Sequence, residues 1–209
     1  MTPIINTNHQ LPAGQYFTTK HKKSQIFIHF TAGGPSGENT MAGWAANDER
    51  IGTAYIIDRD GEILQAFPDD CWAFHLGIKG SNGKLDKTSI GIEICAWGPL
   101  TLKDGKYYNY LNREVPADQV TTLAKPHRGF TYYQSYSQEQ MDSLQQLLVH
   151  LVAKYNITVQ ADFPPAWYDF NANVLKNSLP GIWTHTSVRK DKYDSHPDER
   201  LTNILKNLS

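Results

Sequence analysis

Two segments at opposite ends of the 209-residue chain place an imidazole where an apolar run gives way to a polar loop. The first is Ile26-Phe27-Ile28-His29-Phe30-Thr31-Ala32-Gly33. The second begins Gly181-Ile182-Trp183-Thr184-His185 and continues through Lys192, Asp194 and His196 to Pro197. A zinc hydrolase needs three protein ligands of nitrogen or oxygen type and one open position for water. The metal lowers the pKa of that water to about 7. A histidine at a strand end suits the purpose, because the strand fixes the backbone while the ring faces a cleft. His29 and His185 are therefore the candidate nitrogen ligands. Asp194 is the candidate third ligand, with His196 as its rival. The plainer alternative is a pair of buried histidines bonded to backbone and a solvated charged turn over residues 190–200, and spacing alone does not choose between them.

Glu93 adds to the zinc reading. It is embedded in Ser89-Ile90-Gly91-Ile92-Glu93-Ile94-Cys95, a run expected to form a buried strand. An acid in such a strand is expensive unless something pairs with it. Its pKa is expected to rise, which suits proton transfer near neutrality. A structural acid paired with Lys or Arg is the alternative. Lys192, two residues before Asp194, could aim a cation at the same pocket and stabilise an oxyanion. Taken alone it would be a surface lysine.

The elements that must position these groups follow from pattern. Residues 1–23 are polar and turn-rich and are expected to form an arm packed loosely on a domain spanning 24–209. Gln25–Phe30 and Ser89–Cys95 read as buried strands. Asn39 or Thr40 is expected to cap a helix through about Arg50, with Met41, Trp44 and Ala45 on one face. Thr53–Asp58 and Glu62–Phe67 read as a hairpin around Asp60-Gly61. Trp72–Leu76 reads as a short strand, followed by a loop over Gly77–Thr88. Ser137 and Gln140 form a capping box for a helix through Tyr155, with Met141, Leu144, Leu147, Leu148, Leu151 and Val152 on its apolar face. Gly181–His185 reads as a last strand and Asp198–Leu208 as a small amphipathic helix. Residues 98–136 read as irregular apart from a turn at Lys103-Asp104-Gly105-Lys106. Residues 159–180, with Pro164-Pro165, read as a loop or short helical insert. The sum is one α/β domain with helices packed on a central sheet.

Composition excludes several classes. With 40% hydrophobic and 20% charged residues and a net charge of −1, the chain lacks the basic stripe of a nucleic-acid or anionic-membrane binder. No run approaches the roughly 18 apolar residues of a membrane span. The N-terminus shows no basic segment followed by an apolar one, so the chain is expected to be made as a soluble cytoplasmic protein without a signal peptide. Cys71 and Cys95 form no framework and read as buried free thiols, with a single bridge as the alternative. The many aromatics, with eleven tyrosines, suit either a core or a groove for sugar and peptide.

Five short motifs fall in one order along the chain. They are Ile28-His29-Phe30-Thr31-Ala32-Gly33, then Tyr55-Ile56-Ile57-Asp58-Arg59-Asp60-Gly61, then Trp72-Ala73-Phe74-His75-Leu76-Gly77, then Ser89-Ile90-Gly91-Ile92-Glu93, and last His185 with Lys192-Tyr193-Asp194. In this order the chain resembles the zinc-dependent N-acetylmuramoyl-L-alanine amidases, a superfamily that includes phage lysozyme-type amidases, anhydromuropeptide amidases and peptidoglycan recognition proteins. The resemblance implies a central mixed β-sheet flanked by helices, with a zinc cleft on one side. It implies that His29, His185 and Asp194 hold Zn2+, that Glu93 is the catalytic acid/base and that Lys192 stabilises the oxyanion. It puts Thr31, Trp72 and His75 on the substrate. Tyr55 stands in a different context from the family's tyrosine, which leaves the acid/base work to Glu93. The segments of about 98–136 and 159–180 exceed the minimal family domain as inserts. The implied reaction is hydrolysis of the amide between N-acetylmuramic acid and L-alanine, by a monomer acting on peptidoglycan or muropeptide. An endolysin released through a membrane lesion and a cytoplasmic recycling enzyme both fit. A recognition module without catalysis and a zinc amidohydrolase for another amide are the alternatives.

Overall fold

The computed structural model describes residues 2–160 and 165–208. Pro164, part of the expected 159–180 insert, lies outside the described residues, as do Met1 and Ser209 at the ends. Among the described residues no helix is long and apolar enough to cross a membrane.

The first elements are β1 (Ile5–Asn6), β2 (Gln25–Phe30) and α1 (Gly37–Ala45). Every residue of β2 is buried, as a strand covered on both faces requires. α1 starts earlier than the sequence suggests, because Ser36 rather than Asn39 or Thr40 is its cap: Ser36 Oγ accepts from the Asn39 N–H. β3 (Tyr55–Ile57) and β4 (Ile63–Gln65) form the expected antiparallel hairpin. Trp72–Leu76 is not a strand. It makes two isolated bridges, Phe17 to Trp72 and Ile51 to Phe74. The loop after it ends in a short helix, α2 (Lys84–Thr88), which leads directly into β5 (Ser89–Ile94).

Residues 98–136 are the largest departure from expectation. They hold β6 (Pro99–Lys103), β7 (Lys106–Tyr108), β8 (Glu114–Val115), β9 (Val120–His127) and β10 (Phe130–Gln134). These pair antiparallel into a second sheet of order β8-β7-β6-β10-β9. The β6–β7 turn was legible: Asp104 and Gly105 both take positive φ, 49° and 77°, as a two-residue hairpin turn demands. α3 (Gln138–Tyr155) carries the expected capping box and buries Met141, Leu144, Leu147, Leu148 and Leu151. Each such side chain contributes about 1.5–3 kcal/mol of burial. Gln140, at the start of α3, donates to the Cys95 carbonyl at 2.9 Å and ties the helix to the end of β5. A turn of 3-10 helix (Pro165–Tyr168), α4 (Ala172–Asn177), β11 (Gly181–Thr184) and α5 (Glu199–Lys206) complete the chain.

The main sheet has the order β1-β4-β3-β5-β2-β11 and is mixed. Its centre is parallel: β3 pairs with β5, β5 with β2, and β2 with β11. The register sets His29 opposite Glu93 and Ile28 opposite Thr184, so the candidate residues gather where these three strands end. The carboxyl ends of parallel strands are where α/β sheets bind ligands. Cys71 and Cys95 are free and buried.

Candidate active site

His29 is the fifth residue of β2 and His185 follows β11 in a short 3-10 turn, His185–Ser187. Asp194 reaches them from the loop that follows, whose carbonyl accepts from the Thr186 N–H at 3.0 Å. Three atoms converge. His29 Nδ1 lies 3.0 Å from His185 Nδ1 and 3.0 Å from Asp194 Oδ2. His185 Nδ1 also lies 3.0 Å from Asp194 Oδ2. All three residues are buried, and together they are a group that could hold a metal ion.

This triangle cannot be three hydrogen bonds. Each Nδ1 has a single in-plane direction, holding a proton or a lone pair, and an ionised carboxylate only accepts. His185 Nε2 lies 3.0 Å from the Leu76 carbonyl, which can only accept, so the imidazole donates from that side and a neutral ring turns a lone pair into the triangle. A tetrahedral zinc with bonds of about 2.0–2.1 Å would separate its ligands by about 3.3 Å. The donor set and its spacing fit a small divalent cation.

The surrounding electrostatics agree. Burial pulls the pKa of His29 down to about 4, outweighing the pull of Asp194 in the other direction. The ring is therefore neutral and ligand-competent at pH 7. Burial opposes ionisation of Asp194, yet a proton or positive charge on the two imidazoles holds its carboxyl below the ordinary range; with both Nδ1 atoms bare, a cation among the three groups would take over that stabilisation. On the neighbouring strand, burial pushes Glu93 well above the usual range, the charge of Asp194 adds to that, and Lys192 opposes it. Glu93 Oε2 is buried without a hydrogen-bond partner among the described residues. The acid is thus the unpaired one, not the structural one held by a Lys or Arg.

A cleft of about 410 Å³ opens on this cluster, lined in part by His75, His185 and Lys192, with apolar wall from Ile51, Phe74 and Ile78. Of the substrate-binding candidates, His75 is at the cleft and also in direct contact with His29, its Nδ1 3.0 Å from His29 Nε2. The Thr31 hydroxyl accepts from the Gly33 and Ala96 N–H groups at 3.2 and 3.3 Å, linking the chain after β2 to that after β5. Trp72 does not join them. Its indole stacks on Phe17 at 3.9 Å and donates to Thr19 Oγ1 at 2.9 Å. Tyr55, too, is occupied elsewhere, donating to Asp69 at 2.8 Å.

His196 lies apart from the triangle. It is fully buried between the rings of Tyr133 and Tyr136, with centroids at 4.7 and 4.5 Å, and neither ring nitrogen has a hydrogen-bond partner among the described residues. What the sequence did not reveal are the groups behind the histidines: Ser89, which contacts His75 Nε2 at 2.8 Å, the Leu76 carbonyl, and Asp86. Ser89 sits in a quoted motif, but its contact arises only because β5 begins beside His75.

The family model described as N-acetylmuramoyl-L-alanine amidase matches residues 19–197. The chain is similar to the N-acetylmuramoyl-L-alanine amidase CwlA of Bacillus subtilis (strain 168), at 34% identity over 74 residues, which is 35% of this chain and 26% of CwlA. It is 36% identical over 70 residues to the amidase XlyB of the same organism, covering 34% of this chain and 22% of XlyB. These matches therefore span only about a quarter of the curated relatives. A solved mutant endolysin from Bacillus subtilis shares the fold over 100% of both chains, with a TM-score of 0.57 at 18% identity.

Proposed function

The chain belongs to the N-acetylmuramoyl-L-alanine amidase family, and from that premise we propose that it hydrolyses, with zinc, the amide between N-acetylmuramic acid and L-alanine in peptidoglycan or muropeptides. The observation that carries this reading is the triangle of His29, His185 and Asp194 at 3.0 Å, with the unpaired carboxylate of Glu93 on the adjacent strand. His29 Nδ1, His185 Nδ1 and Asp194 Oδ2 would hold the ion. Zinc bound there supplies a water of pKa about 7 and polarises a carbonyl.

The rest is the work of the chain. Glu93 accepts a proton from the attacking water at its free Oε2 and returns it to the nitrogen of the departing L-alanine. A carboxylate with a raised pKa suits both halves of that exchange, because it is a stronger base than an ordinary carboxylate and can still return the proton. Lys192 faces the same cleft and opposes the negative charge that develops on the lactyl carbonyl oxygen. His75 and Thr31 border the path of the substrate. All five principal groups come from one chain, which supports action as a monomer.

The test is Glu93→Ala assayed on purified peptidoglycan. The reading expects loss of turnover with one zinc per chain retained. Full activity in the variant overturns the role of Glu93, and a wild-type protein without stoichiometric zinc overturns the metal site. Release of L-Ala-initiated peptides identifies the bond. The likeness to an endolysin supports intact cell wall as the substrate. Turbidity loss on intact walls, compared with hydrolysis of soluble anhydromuropeptide, separates a lytic enzyme from a recycling one.

A further inference from the structure

Behind the two histidines, every proton can be placed. Ser89 Oγ donates to the Leu85 carbonyl at 2.8 Å, and a carbonyl can only accept. With its one proton so engaged, the hydroxyl is the acceptor in its 2.8 Å contact with His75 Nε2. A neutral His75 then turns a lone pair at Nδ1 toward His29 Nε2, 3.0 Å away. His29 must donate there. That leaves His29 Nδ1 bare, facing His185 Nδ1 and Asp194 Oδ2. His185 reaches the same tautomer by donating to the Leu76 carbonyl.

Both arrangements meet at one carboxylate. Asp86 Oδ1 accepts from the backbone N–H of His75 at 2.9 Å and of Leu76 at 3.0 Å. Asp86 is only 2% exposed. It holds in place the residue that orients one histidine and the carbonyl that orients the other. The strand beneath is shaped to match: a Cβ at Gly91 would lie 3.0 Å from His75 Nδ1 and 2.6 Å from Thr53 Cγ2. Only a bare backbone there lets the imidazole lie against β5.

We propose that His75 is a positioning residue for metal binding, holding His29 in its Nε2–H tautomer through the Ser89–His75–His29 chain, with Asp86 anchoring His75 and Leu76 so that both imidazole lone pairs are aimed before the ion arrives. This rests on the zinc reading of the triangle given above. Outer partners of ligating histidines typically contribute 10–100-fold in metal affinity.

The experiment compares wild type, His75→Leu and His75→Asn as full chains. Leucine fills space without an acceptor, whereas asparagine keeps an oxygen near the position of Nδ1. Zinc-free protein is titrated with ZnCl2 against a chromophoric chelator. His75→Leu is expected to bind zinc about 10–100-fold more weakly, and His75→Asn to recover most of that loss. In parallel, 15N NMR of zinc-free wild type is expected to show His29 protonated at Nε2 and bare at Nδ1. The proposal is overturned if wild-type His29 carries its proton on Nδ1. It is overturned equally if folded His75→Leu binds zinc like wild type, or if the two variants are weakened alike. Absence of zinc binding in wild type would instead defeat the zinc reading. The wild-type tautomer, which depends on no variant folding, still decides the positioning role.

Discussion

Replacing Glu93 by glutamine should make the protein more stable and nearly inactive. Glu93 Oε2 is buried without a partner, and burial followed by the charge of Asp194 pushes its pKa well above the ordinary value. Unfolded, the same carboxyl titrates near ~4.3. Between the two values the folded chain binds more protons than the unfolded one, so stability falls as pH rises through that window. At pH 7, well above the unfolded value, much of this cost is already present. An orphaned buried polar group costs about 1–3 kcal/mol, and more when charged. Glutamine cannot ionise, so it removes the cost of ionising or protonating the buried carboxyl but keeps an amide that also lacks a partner, which leaves a net gain of about 1–2 kcal/mol. For a domain of this size each kcal/mol shifts the melting temperature by about 2–4 °C. Zinc-free Glu93→Gln should therefore melt roughly 2–8 °C above zinc-free wild type at pH 7. The gain should vanish near pH ~4, where both states of the wild type are protonated. Turnover on peptidoglycan should fall by about 10²–10⁴-fold. Thermal melts with a chelator at pH 7 and pH 4 read the first effect, and amide hydrolysis reads the second. A lower melting temperature at pH 7, or a gain independent of pH, refutes the reasoning.

His196→Phe should keep one zinc per chain by elemental analysis and stay within about 1.5 kcal/mol of wild type, because its ring nitrogens have no hydrogen-bond partner among the described residues; loss of zinc would contradict this. Lys192→Met should retain zinc yet lower kcat about 10²–10³-fold, and an unchanged kcat would remove Lys192 from the oxyanion role. His29 has a folded pKa of about 4 against about 6.5 unfolded. The unfolded chain therefore binds more protons in between, and the contribution of a neutral His29 is present above that window and lost as pH falls through it. Denaturant titration of zinc-free wild type against His29→Asn should show the difference in stability shifting against wild type from pH 7 to pH 4.5. A constant difference would contradict the assignment.

Where a single local signal decides a structure, the sequence shows it. α3 has a capping box and an uninterrupted apolar face, and β2 and β5 are short apolar runs of the kind that central parallel strands require. The second sheet was obscured because its strands are largely exposed and do not alternate. β9 reads Val-Thr-Thr-Leu-Ala-Lys-Pro-His, with a proline and a lysine near its end, and no residue of it but His127 is fully buried. Only the Asp104-Gly105 turn carried a local cue. Trp72–Leu76 misled in the opposite direction. Its aromatics suit a strand, but they serve to stack Trp72 on Phe17 and to set it edge-on to Phe74. At the site, the types of residue were visible and the choices among them were not. Nothing in the spacing distinguishes Asp194 from His196 two residues on. The fold does so by turning one side chain to the histidines and closing the other between Tyr133 and Tyr136. The dual contact of His75, with His29 on one side and Ser89 on the other, depends on strands 14 residues and 46 residues away in sequence, which no local pattern records.

The most direct measurement is anomalous diffraction at the zinc edge from crystals of the wild-type chain. The account predicts one zinc peak per chain, within bonding distance of His29 Nδ1, His185 Nδ1 and Asp194 Oδ2, with Glu93 and Lys192 beside it but not bound. A peak ligated by His196, or no zinc at these three residues, would contradict it.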